Sequence, residues 1–244
     1  MKIRKIGLIL FSSIMLLSVG CSNTSSNTNS NANASETKHE TKEIDLNGAE
    51  RVKTEINIGA GKLNISGDSD KLMKAEFIYN VPEWRPNVKY GVDGKVGTLL
   101  LEQPSNNKNN ASNVKNDWNI SLNNNIPMDL DITLGSCTGT LDLNKLNIKN
   151  LSIEMGAGNV NLNLCGNYKN SVAANITGGV CNSTIYLPKN IGVCVEVEKG
   201  VGKINANGFS VNGTKYTNEA YGKSQVNINL KVEAGVGNIN LELK

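Results

Sequence analysis

Six segments of the chain share one pattern, in which apolar and polar residues alternate on both sides of a glycine. These anchor glycines are Gly59, Gly135, Gly156, Gly179, Gly200 and Gly235. Three residues before them lie Ile56, Ile132, Ile153, Ile176, Val197 and Val232, and six residues after them lie Ile65, Leu141, Leu162, Ile185, Ala206 and Leu241. Because an alternation of period two is typical of β-strands, each segment predicts a strand that turns or bends at its glycine.

The anchor glycines also recur at nearly equal spacing. From Gly135 to Gly200 the successive steps are 21, 23 and 21 residues. A unit repeated at a fixed interval predicts rungs that stack on one another, with the inward Ile153, Ile176 and Val197 in one column. We therefore predict an all-β fold, a stacked and β-solenoid-like repeat preceded by an N-terminal β-rich region.

Residues 44–118 are less regular and are predicted to form that N-terminal region. Residues 74–81 predict a strand, which Pro82 and Pro86 end. Residues 88–104 predict a hairpin, because Asp93-Gly94 is a strong turn signal. The stacked repeat itself is assigned to residues 119–244.

A long polar segment, residues 207–224, interrupts the repeat and makes the last step between anchor glycines 35 residues. It contains Phe209, Tyr216 and Tyr221, in a chain with only 3 Phe and 6 Tyr. Aromatic side chains on an exposed loop are good recognition groups, so these three are candidate binding residues. The alternative is that the segment caps the open end of the stack.

The glycine turns resemble nucleotide-binding loops only superficially. A phosphate-binding loop needs Gly-Lys-Ser/Thr at the start of a helix. Gly61-Lys62 is followed by Leu63, and Gly202-Lys203 by Ile204, and both run into alternating strands. The sequence therefore predicts neither a nucleotide ligand nor a nucleotide cofactor.

Residues 1–20 have the layout of a secretory signal peptide: a basic start, an apolar run and small residues before Cys21. Cys21 follows Val19-Gly20 as in bacterial lipoproteins, so we predict lipidation there; the alternative is plain secretion with a free or structural thiol. Residues 21–43 contain no aliphatic side chain larger than Ala, and this composition predicts a disordered tether. The chain is thus expected at the extracytoplasmic face of the cell membrane.

Charge argues against a nucleic-acid partner. The chain has 25 Lys and Arg against 22 Asp and Glu, but three of the basic residues lie in the signal peptide. The remaining 22 against 22 give no excess of positive charge, whereas nucleic-acid binding needs a clustered basic face.

The repeat resembles the toastrack group of bacterial envelope proteins. The resemblance is carried by residues 126–164, by residues 187–209 with the aromatic segment after them, and by the closing residues 226–243. Residues 44–118 are similar to the N-terminal domain often attached to it. The resemblance implies an all-β stack in an extracytoplasmic lipoprotein, or in a LiaF-like protein that restrains a stress-sensing kinase, and it implies no catalytic motif.

Few residues suit catalysis or metal binding. The one histidine, His39, lies in the predicted tether, so catalysis that depends on histidine and most zinc sites are not expected. Cys137 and Cys181 occupy the same place on rungs two apart, about 9.6 Å, which is too far for a disulfide. Cys165 could pair with Cys181 or Cys194, or all four could be free thiols.

Two further patterns concern outward positions. Glu154 and Glu198 would lie two rungs apart, at about 9–10 Å, near the separation of an inverting glycosidase pair, although a solvated outer face explains them equally. Five residues after the anchors come Asn64, Thr140, Asn161, Thr184, Asn205 and Asn240, which predict a polar ladder.

We expect a membrane-anchored binding or structural module without enzymatic activity or cofactor. Its partner would be an envelope protein, with a possible link to stress sensing, or a cell-wall glycan recognised as an adhesin would recognise it. A polysaccharide-cleaving enzyme is the remaining alternative.

Overall fold

A computed structural model describes residues 36–104 and 113–244, and it is almost entirely β-strand. The strands are β1 (Lys38–Ile44), β2 (Arg51–Ser69), β3 (Met73–Tyr79), β4 (Asn87–Asp93), β5 (Val96–Glu102), β6 (Asn116–Asn123), β7 (Met128–Asp142), β8 (Ile148–Asn163), β9 (Val172–Leu187), β10 (Gly192–Val201), β11 (Ile204–Asn207), β12 (Ser210–Asn212), β13 (Lys215–Thr217), β14 (Asn227–Val236) and β15 (Ile239–Leu243). One short 3-10 helix, Pro82–Trp84, separates β3 from β4. The predicted signal peptide and Cys21 lie outside the described residues, and no helix within those residues is long and apolar enough to cross a membrane.

Six rungs pair in parallel and in register. The long strands β2, β7, β8 and β9 each pass through an anchor glycine, while β10 with β11 and β14 with β15 are rungs that break just after theirs. The register places Ile56, Ile132, Ile153, Ile176, Val232 and Val197 side by side in one buried column. The predicted all-β stack and its inward column are therefore confirmed.

Each long strand turns a corner at its anchor glycine. In β7 the alternation of buried and outward residues runs to Leu134, then Gly135 and Ser136 both lie outside, and burial resumes at Cys137. Because the alternation shifts by one position there, the sheet folds over and both halves of each strand turn their apolar side chains into one core. We call the half before the glycines the front layer and the half after them the back layer.

The two layers differ in their strand order. The front layer runs β4-β5-β2-β7-β8-β9-β14-β10-β13-β12, and the back layer runs β1-β3-β6-β2-β7-β8-β9-β15-β11. The parallel strands β2, β7, β8 and β9 belong to both layers. Trp118 and Phe77 pack edge to face, with ring centroids 5.2 Å apart, and are buried on the N-terminal side of the core.

The anchor glycines form a column of their own at the corner. A Cβ on Gly156 would come 2.7 Å from the carbonyl oxygen of Gly135, and one on Gly179 would come 2.6 Å from that of Gly156. Such contacts are closer than real Cβ atoms allow, so the rungs can stack this tightly only without side chains there. Two residues further on, Gly158 has a φ of +131°, which glycine also favours.

The order of the rungs corrects one expectation. Sequence order predicts the Gly200 rung beside the Gly179 rung, but β14 and β15 lie between them, so Gly235 stacks on Gly179 and Gly200 on Gly235. The segment after residue 207 is long enough for the chain to cross back over β10 and place β14 beside β9. On its way its β12–β13 hairpin pairs antiparallel with the outer side of β10 and covers that edge, as the capping interpretation predicts.

The N-terminal region departs from the predicted boundaries. The tether was predicted to extend to residue 43, but residues 38–43, including His39, belong to β1, which pairs with β3. Composition misses this strand because it is held by main-chain pairing and by the Arg85–Glu40 ion pair at 2.9 Å, not by apolar side chains. The predicted boundary at residue 118 falls inside β6, whereas the predicted strand β3 and the β4–β5 hairpin are present.

The glycine column allows a test of the close packing at the corner. We expect Gly156→Ala to lower the free energy of unfolding by about 2 kcal/mol, because its Cβ meets backbone that cannot move alone. Gly59→Ala is the matched control: it ends the same column, and its Cβ would meet only the Gln103 side chain at 3.6 Å. Denaturant unfolding should show a change of less than about 1 kcal/mol for the control. Equal losses in the two variants would contradict the packing constraint.

Candidate functional site

A shallow groove crosses the outer surface of the front layer. It has a volume of about 830 Å³ and runs over β2, β7, β8, β9, β14 and β10. With neighbouring strands about 4.8 Å apart, these six strands give it a length of roughly 24 Å. Because the strands are in register, the outward side chains form two parallel rows along the groove.

The two rows follow from the alternation of the strands. The first row is Lys53, Asp129, Asn150, Ala173, Asn229 and Cys194, and the second row is Glu55, Asp131, Ser152, Asn175, Lys231 and Glu196. All of them line the groove. Each row therefore presents one side chain per strand at regular intervals.

The groove ends at Thr98 of β5, an exposed residue in register with Lys53, and on the opposite side at Tyr221 and Lys215. The Tyr221 hydroxyl contacts the Cys194 thiol, and this contact raises the pKa of Tyr221 above its ordinary value. Tyr221 thus closes the groove while 42% of its surface stays exposed.

The buried Asn218 holds Tyr221 in place. Its side-chain oxygen accepts hydrogen bonds from the backbone N–H groups of Val193 and Tyr221, at 2.9 and 3.1 Å. Its side-chain nitrogen donates to the carbonyl oxygens of Pro188 and Ile191, at 3.1 and 2.7 Å. Sequence reasoning missed Asn218, because one Asn in an Asn-rich polar segment gives no signal of burial.

The polar side chains in the middle of the groove are free to meet a ligand. Within residues 36–104 and 113–244, no hydrogen bond or ion pair involves the side chains of Asp131, Ser152, Asn175 or Asn229. The neighbouring Asp129 accepts one hydrogen bond, from Asn150 at 2.7 Å. The groove therefore offers unpaired amide, hydroxyl and carboxylate groups side by side.

The charge of the groove is close to balanced, but its lysines are partly engaged. Lys231 lies 2.6 Å from Glu233 and 3.4 Å from Glu198, and these carboxylates raise its pKa. Against the three lysines of the lining stand four carboxylates. The floor thus offers hydrogen-bond donors and acceptors together, which suits a ligand rich in hydroxyl or amide groups.

The three aromatic residues predicted to bind have different positions. Tyr221 lines the groove. Tyr216 and Phe209 are half-buried and pack against the core. Tyr216 lies on β13, in register with Val195 of β10. The structure therefore brings one of the three to the groove and places the other two where they cover the end of the stack.

The structure corrects the spacing of the candidate carboxylate pair. Glu154 and Glu198 share one row, but Thr177 and Glu233 both lie between them. Three strand steps separate them by roughly 14 Å, beyond the reach of the paired carboxylates of glycosidases. The return of β14 between β9 and β10 adds the extra step.

The polar ladder predicted on the outer face is present on the back layer. Asn64, Thr140, Asn161, Thr184, Asn240 and Asn205 lie side by side in register. It is partly bonded to itself and to its neighbours: Asn205 donates to Asn240 at 2.7 Å, and Asn64 donates to Asn119 of β6 at 2.8 Å.

The four cysteines of the described residues are free thiols. Cys137 and Cys181 lie on either side of Gly158, as the spacing predicts, and both are buried. Burial raises the pKa of Cys137 to about 11. Among the described residues no group of His, Cys, Asp and Glu could hold a metal ion.

The described residues therefore form an all-β stack with a corner of glycines and an open, polar groove. The family model for the N-terminal domain of toast_rack, DUF2154, matches residues 33–186, so the chain belongs to the toastrack family. A comparison with curated proteins found no significant match.

The chain is also similar to solved structures. A proposed cell adhesion protein from Clostridium sporogenes is 50% identical, with a TM-score of 0.84; the match covers 86% of this chain and 100% of that one. Proposed adhesins from Bacteroides fragilis and Parabacteroides merdae are each 13% identical, with TM-scores of 0.30 and 0.25. Those matches cover 84% and 86% of this chain and 97% of each of theirs.

The burial of the thiols makes a second test. At pH 8 we expect maleimide to label the half-buried Cys165 and Cys194 well before Cys137, which is buried and has a raised pKa. Peptide mapping by mass spectrometry gives the order, and the denatured chain, in which every thiol should react, is the control. Labelling of Cys137 as fast as Cys194 would mean that the corner is open in solution.

Proposed function

We propose that this protein is an adhesin-like surface protein that binds its ligand in the groove of the front layer and catalyses no reaction. The observation that carries the proposal is the set of unpaired polar side chains, Asp131, Ser152, Asn175 and Asn229, aligned along the groove. The relative from Clostridium sporogenes, with its proposed role in cell adhesion, supports this class of function.

The ligand that fits these groups best is a glycan of the cell wall or of another cell surface. Sugar rings bind through hydroxyl groups, which donate to carboxylates and amide oxygens and accept from amide nitrogens. They also pack their apolar faces on aromatic rings, for which Tyr221 stands at the end of the groove. A length of roughly 24 Å accommodates several sugar units in an extended chain.

The proposal includes an anchor. Residues 1–20 would direct export, and lipid on Cys21 would hold the protein at the extracytoplasmic face of the membrane. This arrangement would leave the groove facing outward, within reach of the wall. The other role, contact with an envelope protein in stress sensing, would use the same exposed surface.

Sedimentation with purified cell walls tests the groove. We expect the wild-type chain to pellet with the walls, and Asn175→Ala and Tyr221→Ala to bind about fivefold to tenfold more weakly, because each removes a contact worth about 1 kcal/mol. The matched controls are Asn161→Ala and Tyr186→Ala, which change the same residue types on the back layer. They should bind like the wild type.

Two results would overturn parts of this proposal. If the wild type does not pellet, the wall glycan is not the ligand, and capture of one envelope protein by chemical crosslinking in cells would favour the stress-sensing role. If the wild type pellets but the groove variants and their controls bind equally, binding occurs elsewhere on the surface.

The anchor has its own test. We expect Cys21→Ala to release the protein from the membrane fraction into the medium, because the residue that carries the lipid is removed while export continues. Mass spectrometry of the wild type should show a lipid-modified N-terminal cysteine after removal of residues 1–20. An unmodified Cys21 in a protein already found in the medium would contradict the lipid anchor and favour plain secretion.

A further inference from the structure

Four strands lie at the edges of the two layers in the described part of the chain: β1, β4, β11 and β12. An edge strand carries unpaired main-chain groups that can pair with another chain, and proteins usually guard such edges. β11 and β12 are guarded by being only 4 and 3 residues long. β1 is guarded by charge, because Glu40 and Lys42 occupy its inward, half-buried positions.

Within residues 36–104 and 113–244, the β4 edge has no such guard. It is 7 residues long, pairs with β5 on one side, and contains no proline. Its inward side chains are Val88, Tyr90 and Val92, which are half-buried against the core. Its outward side chains include one lysine, Lys89, and one acid, Asp93, at the end of the strand. The edge of the front layer is therefore open at β4.

The sequence of β4 is complementary to itself when reversed about Tyr90. In an antiparallel pair centred there, Val88 would face Val92 of the other copy, and Tyr90 would face Tyr90. On the outer surface Lys89 would face Gly91, and Asn87 would face Asp93. No charge meets a like charge directly across the pair; the second copy's Asp93 and Lys89 are the two diagonal neighbours of Lys89.

We propose that two copies of this chain associate by antiparallel pairing of their β4 strands about Tyr90. The pairing satisfies the main-chain groups that β4 leaves open and covers the half-buried valines and tyrosines at the rim of the core. A two-fold axis between the two Tyr90 residues makes the contact identical for both copies. Two-fold symmetric dimers are the commonest form of protein dimer.

The dimer has a consequence for the groove. Inward side chains meet inward side chains across the pair, so the two front layers join into one sheet whose outer surfaces face the same way. Each groove ends at Thr98 of β5, the neighbour of β4. The two grooves would then lie on one surface, and a long repetitive ligand could occupy both at once, which increases its apparent affinity.

Sedimentation velocity of the full chain in mild detergent, across a concentration series, tests the pairing. The wild type should show a monomer–dimer equilibrium. Gly91→Lys places a lysine opposite the second copy's Lys89, at two symmetric positions, and should weaken the dimer about tenfold. The matched control Gly91→Glu places a carboxylate opposite the same lysine and should preserve the dimer.

A charge exchange makes the test specific to this register. The double variant Lys89→Glu with Gly91→Lys again sets opposite charges face to face, and it should restore the dimer that Gly91→Lys loses. Lys89 is exposed and Gly91 lies on the same outer face of β4, so we expect all three variants to fold; thermal unfolding of each variant separates lost pairing from lost folding.

Disulfide trapping gives an independent measurement. A mixture of Lys89→Cys and Gly91→Cys chains should form a mixed dimer on mild oxidation, because directly opposed residues lie within disulfide reach. A wild type that stays monomeric, a dimer that Gly91→Lys leaves intact, or a failure of both rescue and trapping would each overturn the proposal. None of these results depends on whether the groove binds a glycan.

Discussion

The fold depends on how closely the main chains of successive rungs approach at the corner. Each anchor glycine except Gly59, which ends the column, leaves room for the carbonyl oxygen of the neighbouring anchor glycine, so six strands can bend at the same height and stay in register. The register then fixes which side chains face the core and which face solvent on both layers. The columns of Ile and Val inside and the two rows of the groove outside are results of the same constraint.

Local pattern predicts the parts of this structure that adjacent residues determine. Alternation about a glycine identifies the rungs, the inward column and the corner, and Asp93-Gly94 identifies the hairpin. Such a local pattern does not predict which distant segments pair. The position of β14 between β9 and β10 depends on which of two apolar strands docks on β9, and this choice alone moved Glu198 one step further from Glu154.

The groove could not be predicted for the same reason. Asp131, Ser152 and Asn175 become neighbours only after three strands are placed in register, and Tyr221 is held at the end of the groove by the buried Asn218. Composition also hides the difference between the layers. Both are covered by Asn and Thr, but several amides on the back layer bond to one another, while Asn175 and Asn229 in the groove have no partner among the described residues.

The return of the last rung also constrains how the chain can fold as it emerges from its N-terminus during synthesis. The N-terminal strands through β9 can pair as they emerge, but β10 has no parallel neighbour until residues 227–243 have followed it out. During that interval the open side of β9 is exposed to other chains. Completion of the stack therefore waits for the final residues, and a chain cut short before them would lack both the seat for β10 and the wall that carries Tyr221.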